Sequence, residues 1–201
     1  MPELFTLFPT TIYRTSIFKH AEFKKRLVPK LVEQYKLEPN KKANWASLCN
    51  TCQFDIEPED LKYIRKQFDT AVQDYFNLIN LPPYSYEIDG WFNVHDSLKY
   101  QEFHNHIPAI LSGIYYLQFD RNKDSQVIFK NPNHQFCDLT QALGVPLQNP
   151  VFSESTHMFD EFRLEEGDLI LFPGTLVHLV PKAKVQHDQL RISFSFNVIP
   201  K

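Results

Sequence analysis

Residues 190–199 read Leu190-Arg191-Ile192-Ser193-Phe194-Ser195-Phe196-Asn197-Val198-Ile199. Leu190, Ile192, Phe194, Phe196 and Val198 alternate with Arg191, Ser193, Ser195 and Asn197. That is the period of two that an extended strand imposes on its side chains. The apolar face needs a core. Alternation leaves two readings of the polar face equally open: it meets solvent, as one side of an antiparallel sheet often does, or it points into a ligand-filled barrel.

Working back from this strand, apolar runs punctuated by Gly, Pro and Asn predict further strands over 85–94, 102–106, 111–119, 126–130, 158–164, 168–172 and 176–181. The chain changes character at Leu81-Pro82-Pro83. Before it, Phe23, Leu27, Leu31 and Val32 mark a helix over 21–35, and Leu61, Ile64, Phe68, Ala71, Val72, Tyr75 and Phe76 mark another over 58–78. Pro58 suits the first turn of that second helix, with Glu57, Glu59 and Asp60 around its start. Residues 4–17 read as one or two short strands broken at Pro9. The expected fold is mainly β, a jelly-roll or cupin-like barrel with N-terminal helices packed on one sheet. A single domain, 1–201, is expected, with 1–83 as helical support and 84–201 as the β core.

Composition narrows the function. Eighteen Phe, fourteen Pro and only five Gly fit a β-rich fold better than a helical bundle. A net charge of −3 gives no basic excess, so nucleic acid is not an expected partner. The basic residues Lys19, Lys24, Lys25 and Arg26 read as a solvated helix face. No apolar run approaches the roughly 18 residues of a membrane span, and residues 1–10 lack a signal-peptide pattern, so a cytoplasmic protein is expected. Three cysteines cannot all pair, and the lone C-x-x-C at Cys49 and Cys52 reads as ordinary thiols.

Three features carry chemistry. His104-Asn105-His106 lies between predicted strands. Residues i and i+2 of a strand share a face, so two imidazoles could grip one metal ion. Next, Gly167-Asp168-Leu169-Ile170-Leu171-Phe172-Pro173 reads as strand then turn, with His178 following in the apolar run 176–180. Such a His is either a hydrogen-bonded core residue or a third metal ligand. Last, Arg191 carries a permanent planar cation suited to a carboxylate, and Ser193 shares its strand face.

The order of these motifs resembles the Fe(II)/2-oxoglutarate-dependent oxygenases, and more narrowly a bacterial and phage group within their prolyl-hydroxylase-like branch. The matching stretches are Gly90-Trp91-Phe92-Asn93, His104 to Pro108, Leu111 to Leu117, Gly167 to Pro173, His178, and Arg191 to Asn197, within about residues 84–199. A weaker echo lies at Leu7-Phe8-Pro9-Thr10. The resemblance implies a double-stranded β-helix. It implies iron on His104 and His178, and the far carboxylate of 2-oxoglutarate on Arg191 and Ser193. Tyr116 would stand against that same carboxylate from the strand beside Arg191, with Tyr115 facing outward. Asn93 would line the cosubstrate pocket from the opposite flanking strand.

One departure matters. Most of the superfamily has a carboxylate two residues after the first His, where this chain has His106. The narrower group shares His-x-His, which makes His106 the third ligand. Glu102, on the same predicted strand face, is the alternative carboxylate. The implied activity uses Fe(II), 2-oxoglutarate and O2 to hydroxylate an unidentified small-molecule or peptidyl substrate, releasing succinate and CO2, with no catalytic residue beyond the metal centre. The long stretch 131–156, rich in Pro and Asn, reads as a lid or substrate loop, and His134 and His157 as surface residues. Two other readings stay open: a cupin-type three-His iron dioxygenase without 2-oxoglutarate, and a non-catalytic jelly-roll binding module.

Overall fold

The computed structural model describes residues 10–37, 52–54, 58–82, 84–132, 159–160 and 163–201. Strand β1 (Tyr13–Ser16) leads into helix α1 (His20–Leu37), then β2 (Cys52–Phe54) and helix α2 (Pro58–Leu78). The remaining elements are β3 (Tyr86–His95), β4 (Gln101–His104), β5 (Leu111–Gln118), β6 (Ile128–Lys130), β7 (Phe159–Asp160), β8 (Asp168–Pro173), β9 (His178–Val180) and β10 (Arg191–Pro200). Every described pairing is antiparallel. The larger sheet has the order β1-β8-β5-β10-β3-β2, the smaller β4-β9-β6-β7.

The predicted strands from 85 onward have counterparts, the one over 158–164 only as Phe159–Asp160 with 158 and 161–162 outside the described residues, and both helices start within a residue of expectation. The strand pieces over 126–130 and 176–181 are shorter than the apolar runs that marked them, because Val127 and Leu176 are buried in the core without joining a strand. Strand β2, three residues long, is too short to leave a period in the sequence. The echo at 7–9, the two cysteine positions' side chains, His134, His157 and residues 133–156 of the proposed loop lie outside what is described. Among the described residues, no helix is long and apolar enough to cross a membrane.

Strand β10 sits near the centre of the larger sheet, between β5 and β3. Its Ile192, Phe194, Phe196 and Val198 join Phe23, Leu27 and Leu31 of α1 and Ile64, Phe68, Val72 and Phe76 of α2 in one buried cluster. The helices cover this face because their apolar residues recur three or four positions apart on one stripe. Tyr115 belongs to this outer layer, as expected, and its hydroxyl lies 2.7 Å from His20 Nδ1 of α1. A second cluster, with Ile114, Tyr116, Val127, Phe129, Ile170 and Phe172, fills the space between the sheets. The polar face of β10 therefore points inward, between the sheets, and the question that alternation left open is answered.

Glycine lets the helices seat closely. Phe196 pairs with Gly90 on one side and Gly113 on the other, and its ring stacks on Phe68 at 4.2 Å. A Cβ at position 113 would lie 2.2 Å from Phe196 Cζ. Gly113→Val is expected to destabilise the fold by about 1–3 kcal/mol, the usual cost of overpacking a core. The urea midpoint should fall at constant slope; an unchanged midpoint would show that the Phe196 ring swings clear without penalty.

Candidate metal centre and cosubstrate pocket

Three imidazoles converge between the sheets. His104 on β4 faces His178 on β9 as a cross-strand pair, with ring centroids 4.2 Å apart. His106 lies just past β4, its ring 5.0 Å from that of His104 and 5.2 Å from that of His178. One nitrogen from each falls within 4.8 Å of the other two. Three nitrogens sharing one ion at about 2.1 Å would stand about 3.0–3.6 Å apart, so the widest pair would close by about 1–2 Å, within reach of small ring rotations.

The hydrogen bonds set the rings for this task. His104 Nδ1 lies 2.6 Å from the Glu102 carbonyl, and His178 Nδ1 lies 2.8 Å from the Leu176 carbonyl. A carbonyl only accepts, so both Nδ1 atoms carry the proton and both Nε2 atoms keep a lone pair. Burial lowers all three titrations. His106 falls to about 4 through burial and then the neighbouring His104. His104 is lowered by burial despite its carbonyl contact, and His178, packed against Phe172 at 4.8 Å, is held well below the usual range by burial and His104. Neutral imidazoles are the form that binds a metal ion. The donor set and its tautomers fit a resident metal.

The sequence placed His106 on a strand beside His104; the structure does not. Strand β4 ends at His104, and the backbone N–H of His106 donates instead to Gly174 O at 2.8 Å. The turn after β8 thus holds the second histidine. Gly174 is essential to that approach, since a Cβ there would lie 2.1 Å from the Ala109 carbonyl oxygen. Gly174→Ala is expected to push the 106–109 loop away and weaken metal affinity roughly 10- to 100-fold, the scale found when a ligand's supporting contacts are lost. Equilibrium dialysis against Zn(II) checks this, and an unchanged affinity would show that the loop adapts.

Glu102 is also corrected. The register of β4 on β9 shifts between Gln101 and His104. This bulge lets Gln101 and His104 line the inner cavity together, while Glu102 lines a separate groove with Tyr100 and Phe103. Two residues opposing one across a bulge break the i, i+2 rule on which the Glu102 alternative rested. Among the described residues no carboxylate joins the triad.

Opposite the histidines, the inward face of the larger sheet brings the other expected residues together. Asn93, Tyr116, Arg191 and Ser193 all line the cavity that His104, His106 and His178 line, a space of about 460 Å³ that includes its open mouth. Tyr116 and Asn93 flank β10 from β5 and β3, both in register with Ser193. The Tyr116 hydroxyl accepts the Val127 N–H at 3.0 Å, and burial raises its titration to about 12, so it stays protonated. Asn93 Nδ2 donates to Ser195 Oγ at 2.8 Å.

Arg191 is 5% exposed. Its guanidinium donates to the Ser125 carbonyl and to His95 Nδ1, and reaches the Pro181 carbonyl at 3.5 Å. Among the described residues none of its hydrogen bonds goes to a carboxylate. Asp124 acts on it only through its charge, and a buried cation whose hydrogen bonds all go to neutral groups fits an incoming anion. His95 was missed in the sequence because the predicted strand stopped at Val94. One more step of the period, Trp91, Asn93, His95, would have placed it on the inward face.

A double-stranded β-helix in which three neutral, partly to fully buried histidines face a buried arginine is the frame of a non-haem metal enzyme with an anionic ligand. Residues 89–197 match the model of the family described as "Putative 2OG-Fe(II) oxygenase", and the chain belongs to this family of 2-oxoglutarate- and Fe(II)-dependent oxygenases. No curated protein matches the chain. Solved structures share its fold. A prolyl-4-hydroxylase from Pseudomonas putida superposes with a TM-score of 0.65 at 12% identity, covering 96% of this chain and 94% of that one. A prolyl hydroxylase from Trichoplax adhaerens, in complex with a hypoxia inducible factor peptide fragment, gives 0.62 at 13% identity, covering 94% and 83%. HygX from Streptomyces hygroscopicus, with nickel and 2-oxoglutarate bound, gives 0.58 at 10% identity, covering 96% and 83%.

Proposed function

We propose that the chain is a hydroxylase in which His104, His106 and His178 hold Fe(II) and Arg191 anchors the far carboxylate of 2-oxoglutarate. The observation that carries this is the buried Arg191, hydrogen-bonded to no carboxylate among the described residues, in the same cavity as the three histidines. Bound Fe(II), 2-oxoglutarate and O2 supply the oxidation, one oxygen atom entering a substrate C–H bond and the other leaving in succinate alongside CO2.

The protein's own part is placement. The Glu102 and Leu176 carbonyls hold the His104 and His178 rings with Nε2 free to bind. Arg191 supplies a permanent charge, with Ser193 beside it and Tyr116 as a protonated phenol near the same end. Asn93 lines the flank. Phe129 and Phe172 pack around His178 and would exclude water from that side of the site. The substrate is a small-molecule or peptidyl C–H group. In the same reading, 1–201 is one unit whose residues 1–83 support the core 84–201. It works in the cytoplasm, as an odd cysteine count suits.

Anaerobic titration of the Fe(II)-loaded protein with 2-oxoglutarate tests the proposal. A weak visible charge-transfer band saturating near one equivalent is the expected result. Iron bound with no band would instead favour the three-His dioxygenase that does without 2-oxoglutarate.

A further inference from the structure

We infer that Trp91 is a further cosubstrate-binding residue, whose indole N–H donates to 2-oxoglutarate at the end of the molecule away from Arg191. The inference rests on the proposed function and adds a contact to it.

Trp91 lies on β3 and lines the cavity with the histidine triad and Arg191. Its Nε1 is buried and has no hydrogen-bond partner among the described residues. An indole N–H can only donate, and buried tryptophans ordinarily find an acceptor. Leaving such a donor unmatched is costly, so its persistence in a functional cavity calls for a ligand that brings the acceptor.

The register says which part of the ligand. Along the inward face of β3, His95 pairs with Arg191, Asn93 with Ser193, and Trp91 with Ser195. Each two-residue step advances about 6.6 Å, so the Trp91 rung lies about 13 Å from the Arg191 rung. The Trp91 ring stands 6.0 Å from that of His106. Arg191 and Trp91 therefore bracket the cavity lengthwise, with the indole on the metal side.

Among the described residues none accepts from it, which leaves that role to the ligand. His106, as an imidazole, offers no carboxylate oxygen to the indole beside it. The inward Asn93 and Ser195 are already bonded to each other. 2-Oxoglutarate has acceptor oxygens at both ends and no donors of its own. With Arg191 taking one carboxylate, the keto-acid end reaches the metal side, where the indole N–H waits. A donor there also restrains the anion at a centre whose protein ligands carry no negative charge.

The test uses ¹⁵N-indole-labelled, Zn(II)-loaded protein. The chain has two tryptophans, and the Trp91→Phe variant assigns the Trp91 signal by its loss. Adding 2-oxoglutarate should move the Trp91 Nε1–H resonance downfield. In Trp91→Phe, calorimetry should show 2-oxoglutarate affinity weakened roughly tenfold or more, as for loss of a hydrogen bond to a charged group, with Zn(II) affinity unchanged. If wild-type protein binds 2-oxoglutarate but the resonance stays put and the variant binds equally well, the Trp91 inference is overturned alone. If the Zn(II)-loaded wild type binds no 2-oxoglutarate, the proposed function falls with it. The resonance measurement is made on the native chain, so it stands even if the variant folds poorly.

Discussion

His178→Ala is expected to abolish iron binding. His178 is the most enclosed of the triad at 2% exposure, and it faces His104 directly across the β4–β9 pair. Removing it leaves two ligands from one short segment, His104 and His106. Two imidazoles without a third partner lose the preorganisation that makes a protein site outcompete water. Iron per chain, measured after anaerobic loading and desalting, should drop from about one to near zero. The variant should still fold. It loses a buried ring and leaves the Leu176 carbonyl without its donor, a cost of about 1–3 kcal/mol, which an ordinary domain survives. Full iron occupancy in a cooperatively folded His178→Ala protein would remove the metal assignment.

The second large effect belongs to Arg191→Met, and it falls on the cosubstrate rather than on the fold. Binding of 2-oxoglutarate should weaken by about 2–5 kcal/mol, because a desolvated charge pair is lost while the cosubstrate's carboxylate is still buried. Fold stability without ligand should change much less. Burial works against the charge on Arg191, partly offset by the nearby Asp124, and its hydrogen bonds go to Ser125, Pro181 and His95. Met removes that burial cost but leaves the Ser125 carbonyl and His95 Nδ1 without their donor, about 1–3 kcal/mol in the opposite direction. A melting curve of metal-loaded protein separates the two. The variant should melt near wild type alone, and it should lose the upward shift that saturating 2-oxoglutarate gives wild type. An unchanged affinity would take Arg191 out of the site. A sharp fall in stability would mean that the arginine serves the fold first.

Much of this was legible because the relevant signals are local. Strand and helix periods repeat within a few residues, so β10, α1 and α2 follow from their side-chain patterns alone. The chemistry of His104, His106, His178, Arg191, Ser193, Tyr116 and Asn93 was readable as motif order, and the structure brings all seven to one cavity.

The remainder depended on contacts between distant segments. Alternation showed that β10 has a polar face; only the helices packing on the other side decided that this face turns inward. A bulge in β4, set by its register on β9, removed Glu102 from the histidine face. The Gly174 carbonyl, from a turn far along the chain, decided where His106 sits. His95 lies outside every motif and Trp91 has no role in the one that contains it, and their meaning appears only when one meets Arg191 and the other meets no acceptor among the described residues. The sequence by itself determined which elements form and which side chains can bind metal and anion, because those properties belong to individual residues and their immediate neighbours. The tertiary structure alone decided facing, register and unmet hydrogen bonds, because each depends on which distant segment the chain packs against.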